Sequence, residues 1–218
     1  MADISSADER PLESLEAQWW QFDAYSTRDD LGVWVEFGWD RKRRSGWYIG
    51  IVTAARGPVV LVVDHDVPLT TLSPSLEFRA EGLWAQHVCE TALDHWTVGL
   101  EAFGVTLDAP EDAAGDQWGA RTAVGLDLEW EATAGPAPDE TGFTQLCGVS
   151  GEVLIDDRVI DFDGRGSRSR GWRPIVVDAG VRSGLVIPVR LDRPDGTALV
   201  SVALTSEGTW TVLRVPPQ

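Results

Sequence analysis

The groups in this chain best placed to move protons are histidines and strand-embedded carboxylates near its middle. His87 has the strand parity of Leu83, Ala85 and Cys89, and His95 that of Thr97, Glu101 and Phe103. Residues two apart on a strand share a face, so His87 points toward a core or a cavity. If the two stretches pair as a hairpin through Glu90 to Asp94, His87 and His95 fall within a few residues of register and converge with Glu90 or Glu101. A histidine beside a carboxylate is an acid–base pair. Glu90 and Glu101 have mostly apolar neighbours, where burial would raise a carboxyl pKa and let it donate a proton. The competing reading is that these histidines are hydrogen-bonded members of a barrel wall. His65, between Asp64 and Asp66, reads as an exposed turn residue, and Asp127, Glu129 and Glu131 alternate with Leu126, Leu128 and Trp130 as a solvated outer face.

A second group is the run Asp163-Gly164-Arg165-Gly166-Ser167-Arg168-Ser169-Arg170-Gly171-Trp172. Arginines crowded on a glycine-rich bend can bind an anion, or tie down acidic loops such as Asp112 to Asp116. No helix is expected after the run, so it is not a phosphate cradle, and no serine lies in a nucleophile-elbow pattern. No third ligand is spaced to join the histidines on zinc, so neither a metal nor a cofactor is expected.

The elements that must position these groups are strands. Val33, Val35, Phe37 and Trp39 fall on one face of a strand at Gly32–Trp39; Trp47, Ile49 and Ile51 share a face on its return, Trp47–Thr53. Further strands are expected at Val59–Val63, Ser75–Glu90, Asp94–Leu107, Ala123–Ala132, Gln145–Leu154, Arg158–Phe162, Gly184–Leu191, Thr197–Leu204 and Thr209–Val215. One helix is expected, at Pro11–Gln18, as a plug or edge cover. Serial hairpins at this spacing predict an all-β fold, an antiparallel up-and-down barrel. The expected division is an extension over 1–18, a first barrel portion over 19–132, a linker over 133–140 and a reduced second β portion over 141–218 that completes the barrel or packs on it.

A net charge of −17 in 218 residues argues against nucleic acid and acidic membrane surfaces as partners. The apolar runs are strand-length and Met1–Arg10 is polar, so no transmembrane helix and no secretory signal are read, and a cytoplasmic location is expected. Cys89 and Cys147, without metal spacing, suit reduced thiols there, with one disulfide the alternative. Eleven tryptophans supply large aromatic area for a core or for the wall of an apolar pocket.

The series Leu93 to Glu101, Gly125 to Trp130, Cys147 to Val153 and Asp163 to Gly166 resembles the lipocalin-like (calycin) superfamily of hydroxyneurosporene synthase and carotenoid hydratase-like proteins, over about Trp20 to Trp172. That resemblance implies calycin-type β-barrel domains, isoprenoid or polyketide ligands and, in some relatives, cyclisation of the Diels–Alder type. Relatives carry an aspartate and a histidine in the signature that here reads Gly166-Ser167-Arg168-Ser169-Arg170-Gly171-Trp172, and they continue into a full second barrel. Loss of that pair disfavours alkene hydration, which needs a proton donor and a base.

The expected function is therefore a cofactor-free pocket enzyme that folds an apolar polyene or polyketide-type substrate for [4+2]-type cyclisation. A non-catalytic carrier of an apolar metabolite and an isoprenoid hydratase are the alternatives. Candidate catalytic residues are His87, His95, Glu90 and Glu101; candidate wall and polarising residues are Trp34, Trp47, Tyr48, Trp84, Gln86, Trp96 and Trp130. The expected partner is an apolar small molecule, and an exposed edge near the carboxyl end would suit a homodimer.

Overall fold

A computed structural model describes residues 4–12, 15, 17–40, 44–54, 57–68, 76–139, 142–172, 184–193 and 196–215. The strands are β1 (Ala17–Ser26), β2 (Leu31–Asp40), β3 (Ser45–Thr53), β4 (Val59–Pro68), β5 (Leu76–Ala80), β6 (Leu83–Thr91), β7 (His95–Leu107), β8 (Gly119–Ala132), β9 (Ala137–Pro138), β10 (Gly142–Ile155), β11 (Arg158–Gly171), β12 (Leu185–Arg193), β13 (Gly196–Leu204) and β14 (Trp210–Val215). The fold is all-β and antiparallel, as the sequence predicts. One large sheet runs β4-β3-β2-β1-β11-β10-β8-β7-β6-β5 and curls into a ring, with β4 reaching β7 through Val60–Thr106 and Leu61–Val105. No described helix is long and apolar enough to cross a membrane.

Alternation decides which side chains enter the ring. Trp20, Phe22 and Ala24 of β1, Val33, Val35, Phe37 and Trp39 of β2 and Trp96, Val98 and Leu100 of β7 join one buried cluster inside it. Their odd-even partners on β1 to β4, among them Trp19, Trp34, Trp47, Ile49, Ile51 and Leu61, form a second cluster outside. A three-stranded sheet, β12-β13-β14, lies over that outer face and contributes Ile187, Val189, Leu191, Val200 and Val202. Trp210 fixes its edge by donating an N–H to the carbonyl of Ala24 at 2.9 Å.

Four local expectations change. The helix expected at Pro11–Gln18 does not form over its described residues: Ala17 and Gln18 open β1, and the described helical turns are 3-10 turns at Ser6–Glu9 and Pro110–Ala114. β1 is held on both sides, by β2 and by β11, and that pairing uses backbone groups a helix would have needed. The long strand expected at Ser75–Glu90 is two, because Gly82 at φ +75° turns the chain between β5 and β6. β4 continues past Val63 to Pro68. The arginine-glycine run is no bend: it is the second half of β11, paired from Arg165 to Gly171 with β1 and, on its other side, with β10.

The glycines of that run serve close approach. A Cβ at Gly166 would stand 1.8 Å from the carbonyl oxygen of Asp23, and one at Gly164 2.5 Å from that of Tyr25. Both distances are shorter than atoms tolerate, so β1 and β11 meet here only because β11 is bare.

Candidate functional site

The ring interior is aromatic. Trp20 and Phe22 from β1, Phe37 and Trp39 from β2, Tyr48 from β3, Phe78 from β5, His87 from β6, Trp96 from β7 and Trp130 from β8 are all buried there. His87 stacks on Phe37 with ring centres 4.2 Å apart and planes 7° apart, and lies 5.8 Å from Tyr48 with planes 6° apart. Phe22 and Phe78 flank it at 6.2 and 6.5 Å. Trp20 continues the series, stacking on Phe37 at 5.7 Å and touching Trp39 at 4.8 Å.

Polar atoms are embedded in this apolar body. Both ring nitrogens of His87, the hydroxyl of Tyr48 and the indole N–H groups of Trp20, Trp39 and Trp96 are buried without a hydrogen-bond partner among the described residues. Trp130 differs, donating to the carbonyl of Asp23 at 3.2 Å. Burial pushes His87 down to about 3 and the Tyr48 phenol well above its ordinary value. Near neutral pH both are uncharged: Tyr48 is a donor, and imidazole offers one donor and one acceptor.

One end of the ring is polar and closed. Arg168 and Arg170 continue the inward parity of Phe162, and both are buried. Arg168 makes a two-pronged pair with Glu9, the Nη1–Oε2 arm being 3.0 Å, and also donates to Gln145. Glu9 ends the 3-10 turn that Ser5 and Asp8 brace, and its carboxylate accepts the backbone N–H of Leu93 at 2.9 Å. Gln145 is itself anchored, donating to the carbonyls of Leu93 and Ala134. The guanidinium of Arg170 lies 3.7 Å over the Trp20 ring and donates to Gly171 O at 2.6 Å and to Gln18 Oε1 at 2.5 Å. Residues 6–10 thus cap the ring, and the arginines hold the cap rather than the acidic loop near Asp112.

The proposed acid–base constellation is dispersed. His87 opposes Val98 and points inward, whereas His95, which opposes Thr91, points outward to Glu129, 3.7 Å from its carboxylate. Glu90 and Glu101 are exposed on the outer face, with the Thr97 hydroxyl 3.4 Å from Glu90. Positions 87 and 98 face in while 90, 95 and 101 face out, so strand pleating separates His87 from the others. Of the wall candidates, Tyr48, Trp96 and Trp130 line the interior. Trp34 and Trp47 are in the outer cluster beneath the three-stranded sheet. Trp84 and Gln86 lie on the outer face of β6, where the Trp84 indole donates to Glu77 at 3.3 Å. Cys89 and Cys147 are free thiols, each pushed up to about 11 by burial. Among the described residues no three histidine, cysteine or carboxylate side chains gather as a metal site.

Sequence reasoning passed over Phe22, Phe37, Trp39, Phe78 and Glu9 as site residues, and placed Arg168 and Arg170 on a bend, as an anion-binding or loop-tying group, rather than inside the ring. Counting by twos from Phe162 through Gly164 and Gly166 would have put both arginines inside.

A buried acid also lies on the outward face of β1. Asp23 accepts the Ser167 hydroxyl at 2.6 Å and its N–H at 3.2 Å, and burial raises its pKa to about 6 despite those bonds. The folded value exceeds the unfolded one, so this contribution to stability is complete below pH 3.8 and is lost as pH rises through 6. The gap corresponds to about 3 kcal/mol. Asp23→Asn is expected to be more stable than the parent at pH 8 by roughly 1–3 kcal/mol and nearly equal to it at pH 4; urea unfolding at the two pH values measures this.

Comparison with known proteins adds a family. A family model described as a domain of unknown function, DUF7064, matches residues 9–211. No curated protein matches the chain. Among solved structures, a protein of Nitrosomonas europaea provisionally designated AttH is similar at 10% identity and TM-score 0.48, covering 100% of this chain and 73% of its own. Kievitone hydratase from Nectria haematococca is similar at 9% identity and TM-score 0.46, covering 96% of this chain and 67% of its own.

Proposed function

The chain belongs to the DUF7064 family, a domain of unknown function, and we propose that it is a pocket protein for an apolar, conjugated small molecule bearing a carbonyl or hydroxyl group. The observation that supports this is the set of orphaned polar atoms inside the ring, centred on Tyr48 and His87. A buried donor or acceptor without a partner costs about 1–3 kcal/mol, and several in one apolar interior ask for an occupant. A ligand enters by parting the Phe37–His87 stack, and hydrogen bonds from Tyr48 and His87 to its oxygen offset part of that opening.

A second, catalytic reading rests on Tyr48, a neutral donor aimed into an aromatic wall. A hydrogen bond to the carbonyl of a dienophile accelerates a [4+2] cyclisation, in which two σ bonds form at the expense of two π bonds and no proton moves. Alkene hydration fits less well, because His87 and Tyr48 are both neutral and neither is a strong acid.

The indoles of Trp20, Trp39 and Trp96 make the test direct, since a polyene bound among them quenches their emission by energy transfer. A conjugated tetraene alcohol is expected to quench saturably, and Tyr48→Phe to weaken its binding about fivefold or more, as loss of one buried hydrogen bond implies. The matching tetraene hydrocarbon should bind Tyr48→Phe and the parent alike. Absence of saturable quenching by either probe would remove the pocket reading.

A further inference from the structure

The arginine pair at the capped end is over-supplied with positive charge. Two guanidiniums are buried side by side on the inward face of β11, and among the described residues one carboxylate, that of Glu9, is paired with them. Among the described residues the acceptors of Arg170 are neutral oxygens: Gly171 O, Gln18 Oε1 and, at 3.4 Å each, Trp19 O and Arg10 O. A buried cation whose hydrogen bonds go to neutral oxygens is costly, and burial drives Arg170 down to about 9 although the nearby Glu9 and Asp8 charges act to raise it.

The donors are also incompletely used. The Nε–H groups of both Arg168 and Arg170 are buried without a hydrogen-bond partner among the described residues. Successive inward residues of a strand are about 7 Å apart, so the two side chains can converge on one small anion. The surroundings are those of the aromatic interior. The Arg170 guanidinium sits on Trp20, whose ring leads through Phe37 to His87. That of Arg168 lies 5.9 Å from Trp96, which leads through Phe22 to the same imidazole. Charge and apolar wall are continuous, the signature of a site for an amphipathic anion.

We propose that Arg168 and Arg170 form the carboxylate subsite of this pocket, that its ligand is an apolar conjugated carboxylic acid, and that the Glu9 carboxylate already occupies half of the subsite as an internal stand-in. The inference rests on the pocket reading above and narrows its ligand class. The acid group binds between the arginines, and the conjugated body lies along Trp20, Phe37 and Trp96 toward His87 and Tyr48. Glu9 competes for Arg168, so the 3-10 turn at Ser6–Glu9 sets the affinity for the acid.

The test compares a conjugated tetraene fatty acid with the alcohol of the same chain by quenching of tryptophan emission. In the parent the acid is expected to bind at least tenfold more tightly than the alcohol. Arg170→Gln should remove that preference, costing the acid about ten- to hundredfold and leaving the alcohol within about twofold, since a charge-assisted hydrogen bond is lost for one probe alone. Glu9→Gln, which frees Arg168 while keeping an acceptor near Leu93 N–H, should tighten the acid several-fold and not the alcohol. Should Arg170→Gln fail to fold, Glu9→Gln and the acid-to-alcohol ratio of the parent decide the matter. Equal binding of both probes by the parent, or a Glu9→Gln variant that treats both alike, overturns the carboxylate subsite and leaves the pocket standing. Failure of both probes to bind overturns the pocket and the subsite together.

Discussion

Lowering the pH from 6.5 to 3 is expected to withdraw on the order of 5 kcal/mol of stability through His87 alone. Its folded pKa, about 3, lies below the ordinary 6.5, so unfolding releases an imidazole that takes up a proton the native interior excludes. The contribution is complete above pH 6.5 and is lost as the pH falls through 3. Asp23 acts with the opposite sign between 6 and 3.8, which flattens the parent's curve over that range. His87→Phe removes the acid sensitivity and two orphaned nitrogens while keeping a ring against Phe37. It should be more stable than the parent by about 1–3 kcal/mol at pH 7, by more at pH 4.5, and impaired in binding the tetraene alcohol. Urea midpoints across pH 4 to 7.5 measure the slope; a His87→Phe curve parallel to the parent's would show that the imidazole is solvated.

Arg168→Met is the second change with a large expected effect. It leaves the Glu9 carboxylate, 2% exposed, with the Leu93 N–H as its remaining hydrogen bond among the described residues. Removing one partner of a buried ion pair costs about 3–5 kcal/mol, because the other charge stays buried. For a domain of this size each kcal/mol moves Tm by about 2–4 °C, so a fall of roughly 10 °C or more is expected by calorimetry. Adding Glu9→Gln should recover much of the loss, since the double variant buries no lone carboxylate. An unchanged Tm in Arg168→Met would mean that the cap at residues 6–10 does not seal this end.

Much of the fold was legible because strand alternation is a local signal. Val33, Val35, Phe37 and Trp39 declare their shared face without help from distant chain, and so do Leu83, Ala85 and His87. The aromatic interior follows from those parities once the strands close into a ring. β1 was not legible, since adjacent Trp19 and Trp20 serve two different cores, one inside the ring and one beneath the three-stranded sheet. The arginines hid for another reason. Charged residues among glycines read as an exposed bend, and the carboxylate that lets Arg168 be buried is 159 positions away. The convergence expected of His87 with His95, Glu90 and Glu101 failed on parity: pairing two strands aligns residues along the sheet, and only the pleat says which side of it each one sees.

The seam between β4 and β7 gives the ring a property that its strand list does not state. Two residue pairs join these strands, and Gly104 is bare where a Cβ would meet the Leu61 carbonyl oxygen at 2.5 Å. Every other junction from β4 round to β7 is a long ladder, so the girth of the ring is set at its weakest rung. The seam is strapped from outside, where Leu61 of β4, Leu107 of β7, Ala113 and Leu191 of β12 share one buried cluster, so the shortest rung of the wall is backed by side chains rather than by backbone.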